Sequence, residues 1–267
     1  MRKWWDRSCC TRQECRVSFG RVSSGVSFGC VSFGAVALAF ALLCGCSERE
    51  ADAVLPRVVD PAAPLVFLTH PTDPPCSYTN ELGECVGSDV DLARKIAAKM
   101  GRELVCRAVD FERLIPMLKE GSADFAIATI TITPARRRDV DFSAPYATSG
   151  NCFLYRKDGP MPRMSQVPAL RIGAESGTTG DLYLSQHGCD PVRYARMNDA
   201  IDGLMRGEVD AIFFDAIPLQ TWANRSGGTL IASPLVTREG YGVAVDKRRP
   251  DILAAANAVI AAEGGAK

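Results

Sequence analysis

Three consecutive arginines, Arg136, Arg137 and Arg138, follow Thr133-Pro134-Ala135. Thr133 and Pro134 fit the N-cap and N1 positions of a helix. The guanidinium groups therefore sit at an end that its exposed N–H groups and macrodipole already make positive. Such an arrangement invites an anion, and a guanidinium grips a carboxylate through two parallel hydrogen bonds. A helix turns by about 100° per residue, so the three side chains cannot share one cleft. Arg136 is the one expected to reach it. The bland alternative is three solvated arginines balanced by Asp139 and Asp141.

Asp215 is the complementary charge. It follows the apolar run Ala211-Ile212-Phe213-Phe214, and a carboxylate there needs a partner because an unpaired buried charge is costly; a helix N-cap is its other use. Thr129 and Thr131 share strand parity, which lets both hydroxyls face one side, although β-propensity alone also favours threonine there. Thr178 and Thr179 follow Ser176-Gly177 at a helix start whose backbone N–H groups are free to meet a polar ligand. An arginine facing an aspartate across a cleft suits a zwitterion.

The elements that must position these groups alternate between strand and helix. Residues 64–70 read as a buried strand, 89–101 as an amphipathic helix closing on Gly101, 103–109 as a second strand and 111–121 as a second helix containing Pro116. Residues 117–130, MLKEGSADFAIATI, echo 204–217, LMRGEVDAIFFDAI: Gly121 and Gly207 lie 86 residues apart, as do Asp124 and Asp210. The echo predicts two similarly built α/β lobes, with ligand chemistry beyond the carboxyl ends of their strands. Five residues past each aspartate stand Thr129 and Asp215.

The 267 residues are 47% hydrophobic with a formal net charge of zero, ample for two cores. The charge is uneven: six basic and two acidic residues precede Ser47, leaving 25 basic and 29 acidic after it. No basic stripe interleaved with aromatics is present, which argues against a nucleic-acid partner. Residues 31–46, VSFGAVALAFALLCGC, supply the apolar core of an export signal. Leu43-Cys44-Gly45-Cys46 resembles a lipoprotein cleavage box, with Cys46 the lipidated residue; plain cleavage and an uncleaved helix are the alternatives. The expected organisation is a signal peptide over 1–45, its true start lying downstream of Met1, and a lipidated tether over 46–63. Export places Cys76, Cys85, Cys106, Cys152 and Cys189 in an oxidising compartment. Cys76 and Cys85 flank a hairpin-like loop and form the expected disulfide. No cofactor or metal motif is present: His70, Asp73 and Cys76 lack helical ligand spacing.

Residues 87–101, 111–146 and the segments GEVDAIFFD and YGVAVDK resemble the family 3 bacterial extracellular solute-binding proteins, the periplasmic receptors of polar amino acid ABC transporters. The resemblance runs from about Leu65 to Ala262. It implies a two-lobe periplasmic-binding-protein fold of type II with an interlobe hinge. Lobe one would span 64–150 completed by 238–267, and lobe two 151–237. It also implies that Arg136 takes the ligand α-carboxylate, helped by Thr129, Thr131, Thr178 and Thr179, and that Asp215 takes the α-ammonium. The implied partners are an amino acid or similar zwitterion and an ABC permease, with the protein monomeric and lipid-tethered in the periplasm. Two departures stand out. His70, Asp73 and Cys76 occupy positions where the family usually places an acid and two ligand-sandwiching aromatics, and the sequence stops at AAEGGAK where relatives continue into another helix. An enzyme on the same scaffold, resembling the cyclohexadienyl dehydratases, would need a further acid or base. Glu175 and Asp73 are the candidates. A ligand-sensing lobe for a membrane partner is a third option.

Overall fold

A computed structural model describes residues 60 and 62–265. The signal peptide, Cys46 and all but the end of the tether lie outside the described residues. The first part of the chain forms β1 (Leu65–Thr69), β2 (Thr72–Asp73), β3 (Ser77–Thr79), β4 (Cys85–Val86), α1 (Ser88–Lys99), β5 (Leu104–Ala108), α2 (Leu114–Glu120), β6 (Phe125–Ala126), α3 (Pro134–Arg137) and β7 (Asp141–Phe142). Next come β8 (Ala147–Ser149), β9 (Asn151–Arg156), β10 (Ile172–Glu175), α4 (Thr179–Gln186), β11 (Val192–Tyr194), α5 (Met197–Arg206), β12 (Ala211–Asp215), α6 (Ala216–Arg225) and β13 (Leu230–Ala232). The chain then returns through β14 (Glu239–Tyr241) and β15 (Ala244–Val245) to α7 (Pro250–Ala262).

Two five-stranded sheets result, ordered β5-β1-β6-β15-β7 and β11-β10-β12-β9-β13. Each has three parallel strands continued by antiparallel ones. In lobe one, Phe67 and Phe125 stack with ring centroids 5.4 Å apart. In lobe two, Phe153 and Phe213 pack at 4.8 Å. Helix α7 lays Ile252, Ala256 and Ile260 against Ala93, Ile96 and Ala97 of α1, so the returning segment completes the lobe-one core. Between the sheets, β8 and β14 pair as a two-stranded antiparallel ribbon. Gly150 follows β8 where a Cβ would stand 2.0 Å from the Thr237 carbonyl oxygen. Only glycine lets the two connecting segments approach so closely.

The echo is visible in three dimensions. Gly121 and Gly207 cap α2 and α5 in the left-handed region, at φ 77° and 76°, the conformation that ends many helices at glycine. Pro116 falls in the first turn of α2, where its missing N–H costs no intrahelical bond.

Two expectations are corrected. Cys76 and Cys85 are free thiols. Cys76 is buried, with the Asp89 and Asp73 carboxylates near its thiol, whereas the Cys85 thiol meets Cys106 instead. The loop between Cys76 and Cys85 is real, but its two strands direct the cysteines to different neighbours. Strand parity also fails for Thr129 and Thr131, because β6 ends at Ala126 and Thr129 turns to φ 46°.

Candidate functional site

Helix α3 begins as its sequence predicts: the Thr133 side chain accepts a hydrogen bond from the Arg136 N–H at 3.1 Å, and Pro134 opens the helix. This cap fixes the direction of the arginines. Arg136 is half-buried, and Arg137 and Arg138 are exposed. The Arg136 guanidinium lies 5.2 Å from the centroid of the Phe111 ring. It donates to the Thr131 carbonyl at 2.9 Å and, across the lobes, to the Gly177 carbonyl at 3.1 Å. A groove of about 550 Å³ runs past it, lined by Thr133 and Arg136 from lobe one and by Gly177, Thr179 and Arg193 from lobe two.

Asp215 ends β12, fully inside the protein at 6% exposure. Burial and the nearby Glu239 carboxylate push its pKa up to about 8, while Tyr241, Thr129 and Arg136 pull the other way. A buried carboxyl that costly to ionise is a group without a full cationic partner. Beside it, Thr129 holds its left-handed conformation because its N–H donates to Asp89 Oδ2 at 2.9 Å. The Tyr146 hydroxyl donates to the other oxygen of Asp89 at 3.0 Å. A β-branched residue at such a φ carries strain of roughly 1–3 kcal/mol, a cost that clusters at functional sites.

The four threonines divide. Thr131 and Thr179 bring their hydroxyls to 3.4 Å from each other, one from each lobe. Thr178 instead caps α4, accepting from the Asp181 N–H at 3.2 Å and donating its own proton to the Glu175 carbonyl at 2.7 Å. Its hydroxyl is therefore structural. Thr129 faces Asp215 rather than Arg136.

His70 and Asp73, the replacements in the loop after β1, are both buried, at 1% and 4% exposure. His70 Nδ1 lies 2.9 Å from the Val109 carbonyl oxygen, which can only accept, so Nδ1 carries a proton. Nε2 then faces Glu175 Oε1 of lobe two at 3.2 Å. The pair is close enough for an ion pair, but neither atom completes a hydrogen bond of good geometry. Burial, the largest single influence, pulls the imidazole pKa down, but Glu175, the Val109 carbonyl and Asp110 together outweigh it and the net shift is upward. Burial raises Glu175 as well, partly offset by His70. Asp73 is pushed well above the usual carboxylate range by burial and by Glu175 and Asp215. The cleft thus holds Asp73, Glu175 and Asp215 facing one arginine and one histidine.

Sequence reasoning had no role for Asp89, Tyr146, Asn151 or Glu239. Asp89 sits in the first turn of α1, where an acid is ordinary. Glu239 had one legible signal: it precedes Tyr241 by two residues on the same strand, so both point to one face. Among the described residues, no group of three or more His, Cys, Asp or Glu side chains is arranged to hold a metal ion.

Two α/β lobes, joined by paired strands and presenting opposite charges across the gap between them, define a ligand-capturing protein of the two-lobe class. Residues 65–263 match the family model of the bacterial extracellular solute-binding proteins, family 3, and the chain belongs to that family. It is 30% identical over 210 residues to the arginine-binding periplasmic protein of Mannheimia haemolytica, spanning 76% of this chain and 86% of that one. It is 28% identical over 230 residues to the L-cystine-binding protein TcyJ of Escherichia coli strain K12, spanning 84% and 86%. Among solved structures, holo ArgBP from T. maritima is similar with a TM-score of 0.72 at 32% identity, covering 75% of this chain and 90% of that one.

Proposed function

We propose that the protein captures an L-α-amino acid with a cationic side chain and delivers it to an ABC permease. Arg136 takes the α-carboxylate, Asp215 the α-ammonium, and Asp73 with Glu175 the far end of the ligand. The observation that carries this is the excess of buried carboxyl groups: Asp73, Glu175 and Asp215 are 4%, 1% and 6% exposed, with two cationic partners among them, His70 beside Glu175 and Arg136 near Asp215. A ligand with two positive groups and one negative group complements that set; an acidic one repeats its charge. The arginine-binding relatives agree with the cationic class, and the cystine-binding relative shows that the scaffold also serves other side chains. We read the cleft as binding without catalysis, in line with the binding proteins that the chain resembles.

The test is calorimetric titration of wild-type protein, Arg136→Ala and Glu175→Gln with L-arginine, L-glutamine and L-glutamate. Wild type should prefer arginine, and Glu175→Gln should narrow its margin over glutamine. Arg136→Ala should lose about 2–5 kcal/mol for both, the cost of a desolvated carboxylate left unpaired. Wild type that binds glutamine or glutamate more tightly than arginine would refute the cationic class.

The proposed location is periplasmic with a lipid anchor on Cys46, the protein acting as a monomer. Cys46→Ala should move it from the membrane to the soluble fraction, and a variant that stays with the membrane would defeat the anchor.

A further inference from the structure

Glu239 sits on β14, the strand of the ribbon between the lobes, and its carboxylate is saturated. Oε2 accepts from the Thr131 hydroxyl of lobe one at 2.6 Å and from the Thr179 hydroxyl of lobe two at 2.7 Å. Oε1 accepts from the Thr237 hydroxyl at 2.9 Å and from the Asn151 side-chain amide. A carboxylate has about four lone-pair sites, and here each has a donor. A hydroxyl has one proton, so Thr131 and Thr179 have both directed theirs at Glu239. A single oxygen can hold both hydroxyls only while the lobes are this close, as the 3.4 Å between the hydroxyls requires.

We propose that Glu239 is a positioning residue for ligand capture: a hinge-borne latch that ties one hydroxyl from each lobe and so holds the cleft closed beside Arg136. It acts through Thr131 and Thr179 and does not touch the ligand. Their hydroxyl protons being taken, the ligand carboxylate is left to Arg136 and the backbone N–H groups near α3 and α4. This assignment deepens the carboxylate site proposed above and rests on it for its effect on affinity, but not for its effect on closure.

Glutamine should preserve the latch. Its amide oxygen can accept from both hydroxyls, and its NH₂ can donate to Thr237 Oγ1. Once the Asn151 amide turns over, the same NH₂ can also donate to Asn151 Oδ1, an atom that otherwise lacks a hydrogen-bond partner. Alanine preserves none of this.

The experiment places a fluorescent unnatural amino acid on each lobe of the full mature chain and compares wild type, Glu239→Ala, Glu239→Gln and Thr179→Val. Energy transfer without ligand should show a closed population in wild type and Glu239→Gln that shrinks in Glu239→Ala and Thr179→Val. With L-arginine as probe, Glu239→Ala should bind at least tenfold more weakly through faster dissociation, and Glu239→Gln within about threefold of wild type. Identical closed populations in Glu239→Ala and wild type, or equal loss in the alanine and glutamine variants, would overturn the latch. If arginine gives no heat with wild type, the proposed ligand class falls, and the energy-transfer comparison still decides the latch. Thr179→Val, which keeps Glu239 and the side-chain volume, covers the case in which Glu239→Ala does not fold.

Discussion

The two lobes each place an aspartate three residues past a left-handed glycine, and the two aspartates perform the same backbone task in different surroundings. Asp124 Oδ2 accepts from the Val66 N–H at 2.8 Å, while its own N–H donates to the Val66 carbonyl at 2.9 Å. Asp210 repeats both bonds with Arg171, at 2.9 and 2.7 Å. The side-chain partners then differ. Asp124 pairs with Arg249, which is 2% exposed and leads into α7. Asp210 pairs with Arg171, which is 59% exposed. A repeat in sequence therefore reports a shared backbone role. The strength of each position is set by context that does not repeat, here the return of α7 to lobe one.

That contrast gives the largest expected effect. Asp124→Ala leaves Arg249 buried with the half-exposed Asp251 as its remaining ion-pair partner among the described residues, and breaking a buried pair typically costs about 3–5 kcal/mol. Asp210→Ala exposes its partner to water and should cost about 1 kcal/mol or less. Urea unfolding of the two variants measures the difference. Equal destabilisation would mean that the shared backbone bonds, rather than the unequal ion pairs, set the energy of both sites.

The same contrast explains what was legible in the sequence. The Gly121–Asp124 and Gly207–Asp210 spacings were readable because caps and strand starts are local. So was the turn through Thr133 and Pro134 that singles out Arg136. Thr129 was read with the wrong backbone: its left-handed turn depends on Asp89, 40 residues away in sequence. Glu239 binds Thr131 from 108 residues away and Thr179 from 60, and no periodicity reports such a pairing. The cysteines fail for a similar reason. Nearness along the chain favoured Cys76 with Cys85, whereas the sheet places Cys106 on β5 next to Cys85. The loss of the aromatics at Asp73 and Cys76 was visible, but the contact between His70 and Glu175 needed both lobes.

Five residues beyond the paired aspartates the lobes diverge again, and this divergence yields the smaller, pH-dependent effect. Lobe one offers Thr129, held over Asp89; lobe two offers the buried carboxyl group of Asp215. Burial raises Asp89 to about 7, opposed by its bonds from Thr129 and Tyr146. Burial and Glu239 raise Asp215 to about 8. An unfolded aspartate titrates near 3.9. Between about pH 4 and pH 8 the folded, unliganded protein therefore holds more protons than the unfolded chain, and its stability falls as pH rises through that window. The sign is opposite to that of an aspartate stabilised by a salt bridge. A ligand ammonium reverses the preference at Asp215 alone, by favouring its ionised form. Binding below pH 8 should then release a proton from Asp215, and affinity should rise by up to about tenfold per pH unit before levelling off. Titrations with L-arginine in two buffers of different ionisation enthalpy measure that release. Asp215→Asn should remove its share of the released proton, whereas Asp89→Asn should alter the stability profile and leave the release in place, because the partners of Asp89 are the protein's own. If Asp89→Asn abolishes the release instead, the titrating group belongs to lobe one, and Asp215 is not the ammonium site.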